Sequence, residues 1–189
     1  MMVFFHLYVI DFKEGSFMKE THKLMREMRG KLHQQQLAQE INISRESISK
    51  YENKYTKIPV EVSRGLMKKF NNPHFAITLC QEYTGTGPVC LDGPNIDLHR
   101  SSLKEKALKD LEEALRNLRN TNFVKPLKNL TSYELHHLQE TLNELTKTQT
   151  SIANLIANVC TESGISYVEL WQQHYDSLQQ SGYLKYKSE

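Results

Sequence analysis

Residues 36–53, QLAQEINISRESISKYEN, carry a helical apolar rhythm that stops once and resumes almost at once. Leu37, Ala38 and Ile41 share one face, and the small Ala38 lets a following helix cross closely. Asn42 falls where the chain must turn sharply, and Asn tolerates the left-handed backbone better than any residue except Gly. Ile43 plugs the corner, and Ser44 is a suitable N-cap for the next helix. In that second helix only Ile48 and Tyr51 look inward. Arg45, Glu46, Ser47, Ser49 and Lys50 are left on the outer face, near the N-terminal end. A helix with so thin a buried stripe is built to present its other side.

The surrounding sequence extends this pair into a helical domain. A first helix is expected at about His22 to Arg29, with Gly30 as its left-handed stop. The second runs from about Gln34 to Ile41 and the third from about Arg45 to Asn53. After a loop containing Pro59, a fourth runs from Val60 to Phe70, with Val62, Leu66, Met67 and Phe70 on one face. NNPH breaks it, and a fifth segment follows at about Phe75 to Tyr83. The stretch TGTGPVCLDGPNID, residues 84–97, is rich in Gly and Pro and reads as a linker. Its GTG is no phosphate loop, because no GK[ST] follows and no strand leads into it.

The remainder is again helical. Leu103, Leu108, Leu111, Leu115 and Leu118 form one stripe. Thr131 and Glu134 have capping-box spacing, which starts a helix at Ser132. That helix carries Leu135, Leu138, Leu142, Leu145, Gln149, Ile152, Ile156 and Val159 in strict alternation of three and four. This is a coiled-coil-like seam with one polar interruption. It either packs within the chain on residues 103–118 or forms a dimer interface. Gly164 ends the helix, Ser166 and Glu169 make a second capping box, and a last helix to about Gln180 presents Leu170, Trp171, Tyr175 and Leu178. The expected organisation is therefore all-α: a five-helix domain over 18–84, a linker over 85–97, and a helical dimerisation or effector domain over 98–189. Residues 1–17 read either as sequence ahead of a true start at Met18 or as an N-terminal arm.

Charge follows the same division. Residues 18–84 carry 12 Lys and Arg against 7 Asp and Glu, a net of +5, while residues 85–189 carry 11 against 13, a net of −2. Only the first unit is expected to meet a polyanion. Cys80, Cys90 and Cys160 are odd in number, widely spaced and without a CxxC, as in a reduced cytoplasm. The longest apolar stretch, Met1 to Ile10, is broken by His6 and too short to span a bilayer.

Residues 22–70 resemble the helix-turn-helix of the Cro/CI-type (XRE) family of bacterial and phage transcription regulators, whose fold is lambda-repressor-like. LMREMR, QQQLAQEINIS, RESISKYEN and the IP after a polar loop carry the resemblance. It implies double-stranded DNA as partner, a homodimer on a palindromic operator, and repression by blocking polymerase. It also implies individual roles. Gln34, at the start of the second helix, would hydrogen-bond a phosphate. Arg45, Glu46 and Lys50 match base-reading positions, while Ser44, Ser47 and Ser49 lie where bases or phosphates come within reach. Asn53, Lys54 and Lys57 would contact the DNA backbone. Three positions depart from the family pattern: His33 replaces a Ser or Thr N-cap, Asn42 a turn Gly, and Lys54 a Gly, with the loop one residue longer before Pro59.

Other chemistries find little support. Glu134 and His137 form an ExxH pair without the second ExxH that a helix-bundle metal site needs. There is no GxSxG or HExxH, and no Ala-Gly site or Ser/Lys protease region for self-cleavage. No enzyme, cofactor or metal is expected. The alternative reading is an interaction module, antitoxin-like or controlled by an anti-repressor, whose C-terminal helices bind a protein while DNA binding serves autoregulation.

Overall fold

The computed structural model describes residues 20–185. The segment read above as a false start or an arm, residues 1–17, lies outside them. The elements are α1 (Thr21–Arg29), α2 (Gln34–Glu40), α3 (Arg45–Glu52), α4 (Val60–Phe70), α5 (Pro73–Thr84), α6 (Arg100–Asn120), a 3₁₀ turn (Leu127–Asn129), α7 (Ser132–Ser163) and α8 (Tyr167–Gln180). Every regular element among the described residues is helical.

The first five helices close around Leu24, Met25, Leu37, Ala38, Ile48, Ile58, Leu66 and Phe75. Asn42 takes the left-handed conformation, with φ 58°, and the turn is tightened by the Ile43 N–H donating to the Ala38 carbonyl at 2.9 Å. Ser44 caps α3 by accepting from the Ser47 N–H at 3.1 Å. His33 proves a workable N-cap because the Gln36 side chain reaches back and accepts from the His33 N–H at 2.9 Å, satisfying a donor that the helix itself cannot. α5 begins two residues before the expected start. Asn72 accepts from the Phe75 N–H at 3.0 Å, and Pro73, read above as a breaker, is the first helical residue, where a missing N–H costs nothing.

The expected capping box of Thr131 and Glu134 starts α7; at α8 only half of the expected box forms, Ser166 accepting from the Glu169 N–H. α6 and α7 pack as an antiparallel hairpin, but of the two leucine stripes only Leu103 and Leu138 are fully buried in it. Buried between them are Leu103, Ala107, Asp110 and Ala114 of α6, with Leu138, Thr141, Thr148 and Ser151 of α7. Leu108, Leu111 and Leu115 stand 43% to 47% exposed, and Leu135 and Leu142 are 56% and 51% exposed. Small residues let the two helix axes approach closely, and a polar knot holds them there. Asp110, 2% exposed, accepts from the Ser151 hydroxyl and from Lys106 Nζ at 2.9 Å. Lys147 Nζ lies 3.4 Å from its other oxygen, and the Thr148 hydroxyl donates to its backbone carbonyl at 2.9 Å.

The segment expected as a linker has no helix, yet it is not loose. Asn154, buried in α7, accepts from the Leu91 N–H at 2.9 Å and donates to the Val89 carbonyl at 2.8 Å. Just beyond the C-terminus of α7, the Val168 N–H donates to Asn71 Oδ1 at 2.9 Å, joining α8 to the end of α4.

Burial works against the ionisation of Asp110, but the Ser151 hydroxyl and the Lys106 and Lys147 ammoniums outweigh it and lower the pKa below the ordinary Asp value. A depressed folded pKa adds stability above the unfolded value, and this is lost as pH falls through the folded one. Asp110→Ala should therefore cost about 3 kcal/mol in urea unfolding near neutrality, the cost of breaking a buried ion pair. It should also flatten the acid limb of the stability–pH curve. An unchanged urea midpoint would refute this role.

Candidate nucleic-acid interface

α3 is held from beneath by a buried carboxylate. Glu52, 2% exposed, lies in the last turn of α3 and is gripped by Arg29 of α1. Arg29 Nε donates to Oε1 at 2.5 Å and Nη2 to Oε2 at 3.1 Å, the two-pronged geometry that suits guanidinium to carboxylate. Gln34 Nε2 of α2 donates to Oε2 at 2.8 Å. Arg26, one turn before Arg29, donates to the Glu52 carbonyl at 2.7 Å and to Asn53 Oδ1 at 3.3 Å. Burial alone would raise the Glu52 pKa. Arg29 and Gln34 overcome that and hold the carboxyl below its usual range, while the same contact raises the Arg29 pKa. Three helices thus converge on one side chain.

The opposite face of α3 is open. Arg45, Glu46 and Lys50 are exposed, and no described side chain is hydrogen-bonded to them. Ser44 and Ser47 meet through their hydroxyls at 3.0 Å, at the N-terminus of α3. Ser49 is half-buried and its hydroxyl accepts from Asn53 Nδ2 at 3.3 Å. Asn53 also donates to the Ser49 carbonyl at 2.8 Å, so its amide finishes the helix. Lys54 follows with φ 61°, and its ammonium lies 2.9 Å from Glu20 Oε1. Lys54 and Lys23 together pull the Glu20 carboxyl down to about 2. Lys57 is exposed in the same loop.

The expected residues therefore fall into two groups. Arg45, Glu46, Lys50, Lys57 and the Ser44–Ser47 pair lie on the surface around α3. Gln34, Asn53 and Lys54 border it but are already engaged with Glu52, Ser49 and Glu20. Sequence reading had not singled out the bracing set of Arg26, Arg29 and Glu52, although the spacing of three between the arginines places both on one face of α1. Nor had it singled out Tyr55, 77% exposed beside Lys54.

Two crossed short helices with a brace under the second and a bare polar face above it are the geometry of a reading head for the major groove. Residues 23–75 match a family model described as Helix-turn-helix. This part of the chain is a helix-turn-helix domain of the Cro/CI type. No curated protein and no solved structure matches the chain. The domain makes the protein a DNA-binding regulator, and no described helix is long and apolar enough to cross a membrane.

Two outcomes follow for the helix-turn-helix domain. Glu52→Ala strands the Arg29 guanidinium beneath α3 and should cost about 3 kcal/mol, read by thermal or urea melting, with loss of DNA affinity alongside. Because Glu52 has a depressed pKa, the stability it confers is present above its unfolded value and fades as pH falls through its folded one. Lys54→Gly should act in the other direction. It relieves a left-handed non-glycine backbone worth about 1 kcal/mol and gives up the exposed ion pair with Glu20, so the melting temperature should rise. A fall would mean that the Glu20 contact outweighs the strain.

Proposed function

We propose that this protein is a dimeric repressor that reads a roughly palindromic operator with α3 and acts by occupancy. The observation that carries the reading is the unpaired, exposed set of Arg45, Glu46 and Lys50 on a helix whose other side is locked by Glu52. Arg45 and Lys50 donate to guanine O6 and N7, and Glu46 accepts from cytosine N4. Ser47 and Ser49 lie along the same edge of the groove. Around them Gln34, Ser44, Asn53, Lys54, Lys57 and the Tyr55 hydroxyl contact phosphates. Gln34 is already oriented by Glu52, and the Lys54 ammonium exchanges Glu20 for a phosphate. In a dimer, two such heads enter successive major grooves about 34 Å apart. Polymerase is excluded from the DNA they cover.

The test is a titration of the protein onto the DNA upstream of its own gene, at two salt concentrations, with two variants. Arg45→Ala should lose about 1–3 kcal/mol on operator DNA and discriminate less at one base position. Lys57→Ala should weaken binding to every sequence alike and reduce the salt slope by about one. Equal losses on all DNA for both variants would refute base reading by α3. Salt-sensitive binding indifferent to Arg45 would instead favour the interaction-module reading, with a protein partner at the C-terminal helices.

A further inference from the structure

The α6–α7 hairpin keeps much of its leucine outside. Its interior holds Ala107, Asp110, Ala114, Thr141, Thr148 and Ser151 with only Leu103 and Leu138 as fully buried leucines. The outward residues are Leu108, Leu111 and Leu115 of α6 with Leu135 and Leu142 of α7. They lie on one side of the hairpin. On α6 the charged flank is Lys106, Asp110 and Glu113, and on α7 it includes Glu144 and Lys147. Lys147 bridges to Glu113 at 2.5 Å and to Glu144 at 3.0 Å, so the two charged flanks share a side. The helical angle between each charged flank and its leucines places both leucine rows on the other side.

We infer that this leucine face is the surface through which two copies of the chain associate, hairpin against hairpin, as a four-helix bundle. The inference rests on the dimeric reading above and names the surface that makes the dimer. Two observations select a second copy as the occupant. On the α7 side Leu135, Leu142 and Gln149 recur at seven-residue spacing, and the positions beside them, Gln139, Thr146 and Ala153, carry no ionisable side chain. Such depletion of charge marks the centre of an interface rather than a solvated face. The area also fits. The five outward leucines expose on the order of 450 Å² per protomer, close to the apolar share of the roughly 800 Å² that each partner contributes to a standard interface. The same rows on both copies meet across a twofold axis, as a closed isologous dimer requires.

Sedimentation equilibrium of the full chain without DNA tests this. The wild type should be a dimer. Leu115→Ala and Leu142→Ala, at sites 47% and 51% exposed, keep helix propensity and should each raise the dimer Kd at least about tenfold. The double variant Leu115→Glu, Leu142→Glu should be monomeric with an undiminished helical circular dichroism signal. If that variant loses helix, the two Ala variants decide. Val124→Ala, 94% exposed in the loop between the helices, should leave the Kd unchanged. A monomeric wild type, or Ala variants that dimerise as tightly as the wild type, would overturn the inference. Arg45→Ala should dimerise normally, so failure of DNA reading and failure of this surface give different results.

Discussion

The contact on which the reading head depends is that between Arg29 and the buried Glu52 carboxylate. Neither charge would be tolerated alone at such depth, since desolvating an unpaired ion costs several kcal/mol. Together, with Gln34 closing the remaining acceptor position, they fix α1, α2 and α3 at one point. The hydrophobic core beneath supplies bulk but little direction. Leu37, Ala38 and Ile48 would accept small rotations of α3, whereas a two-pronged guanidinium does not. Arg26 extends the same control to the end of the helix through the Glu52 carbonyl and Asn53. The bare outer face is therefore presented at a set angle, although the helix has almost no apolar stripe of its own.

The second half of the molecule solves packing differently. α6 and α7 are long enough to offer a conventional leucine interior, yet beside Leu103 and Leu138 they bury Ala107, Ala114, Thr141, Thr148 and Ser151 around Asp110. Polar knots of this kind set register, because sliding one helix along the other would strand Asp110 and the Ser151 hydroxyl. Close approach through small residues also makes the hairpin thin, with its aliphatic rows displaced to one broad face.

Much of this was legible in the residues. α4 runs over the expected Val60–Phe70, and the turn at Asn42, the caps at Ser44 and Ser166 and the Thr131–Glu134 capping box appear as their local chemistry requires. Local signals carry local answers. The misses are long-range. Pro73 was read as a breaker because only the Asn72 cap reveals it as a first helical residue. The spacing of three and four in α7 identifies a seam but not its occupant. Leucine is the default choice for a core, so the small residues beside the seam drew no attention. The exposure of Arg45, Glu46 and Lys50 on α3 was readable from the thinness of its buried stripe. The engagement of Gln34 with Glu52, 18 residues away, carried no signal that periodicity or composition could reveal.

Asn154 has a broader consequence. Its amide grips the connecting segment by a backbone N–H and a backbone carbonyl at once, so residues 89–91 run along α7 as part of the hairpin. A slack tether would let a reading head swing and accept target sequences at several separations. In the proposed dimer a clamped one transmits the length of the hairpin to each head, so that the pair would act as a calliper whose jaws have one opening. In such an instrument the spacing between two recognised sequences carries as much information as the bases within them.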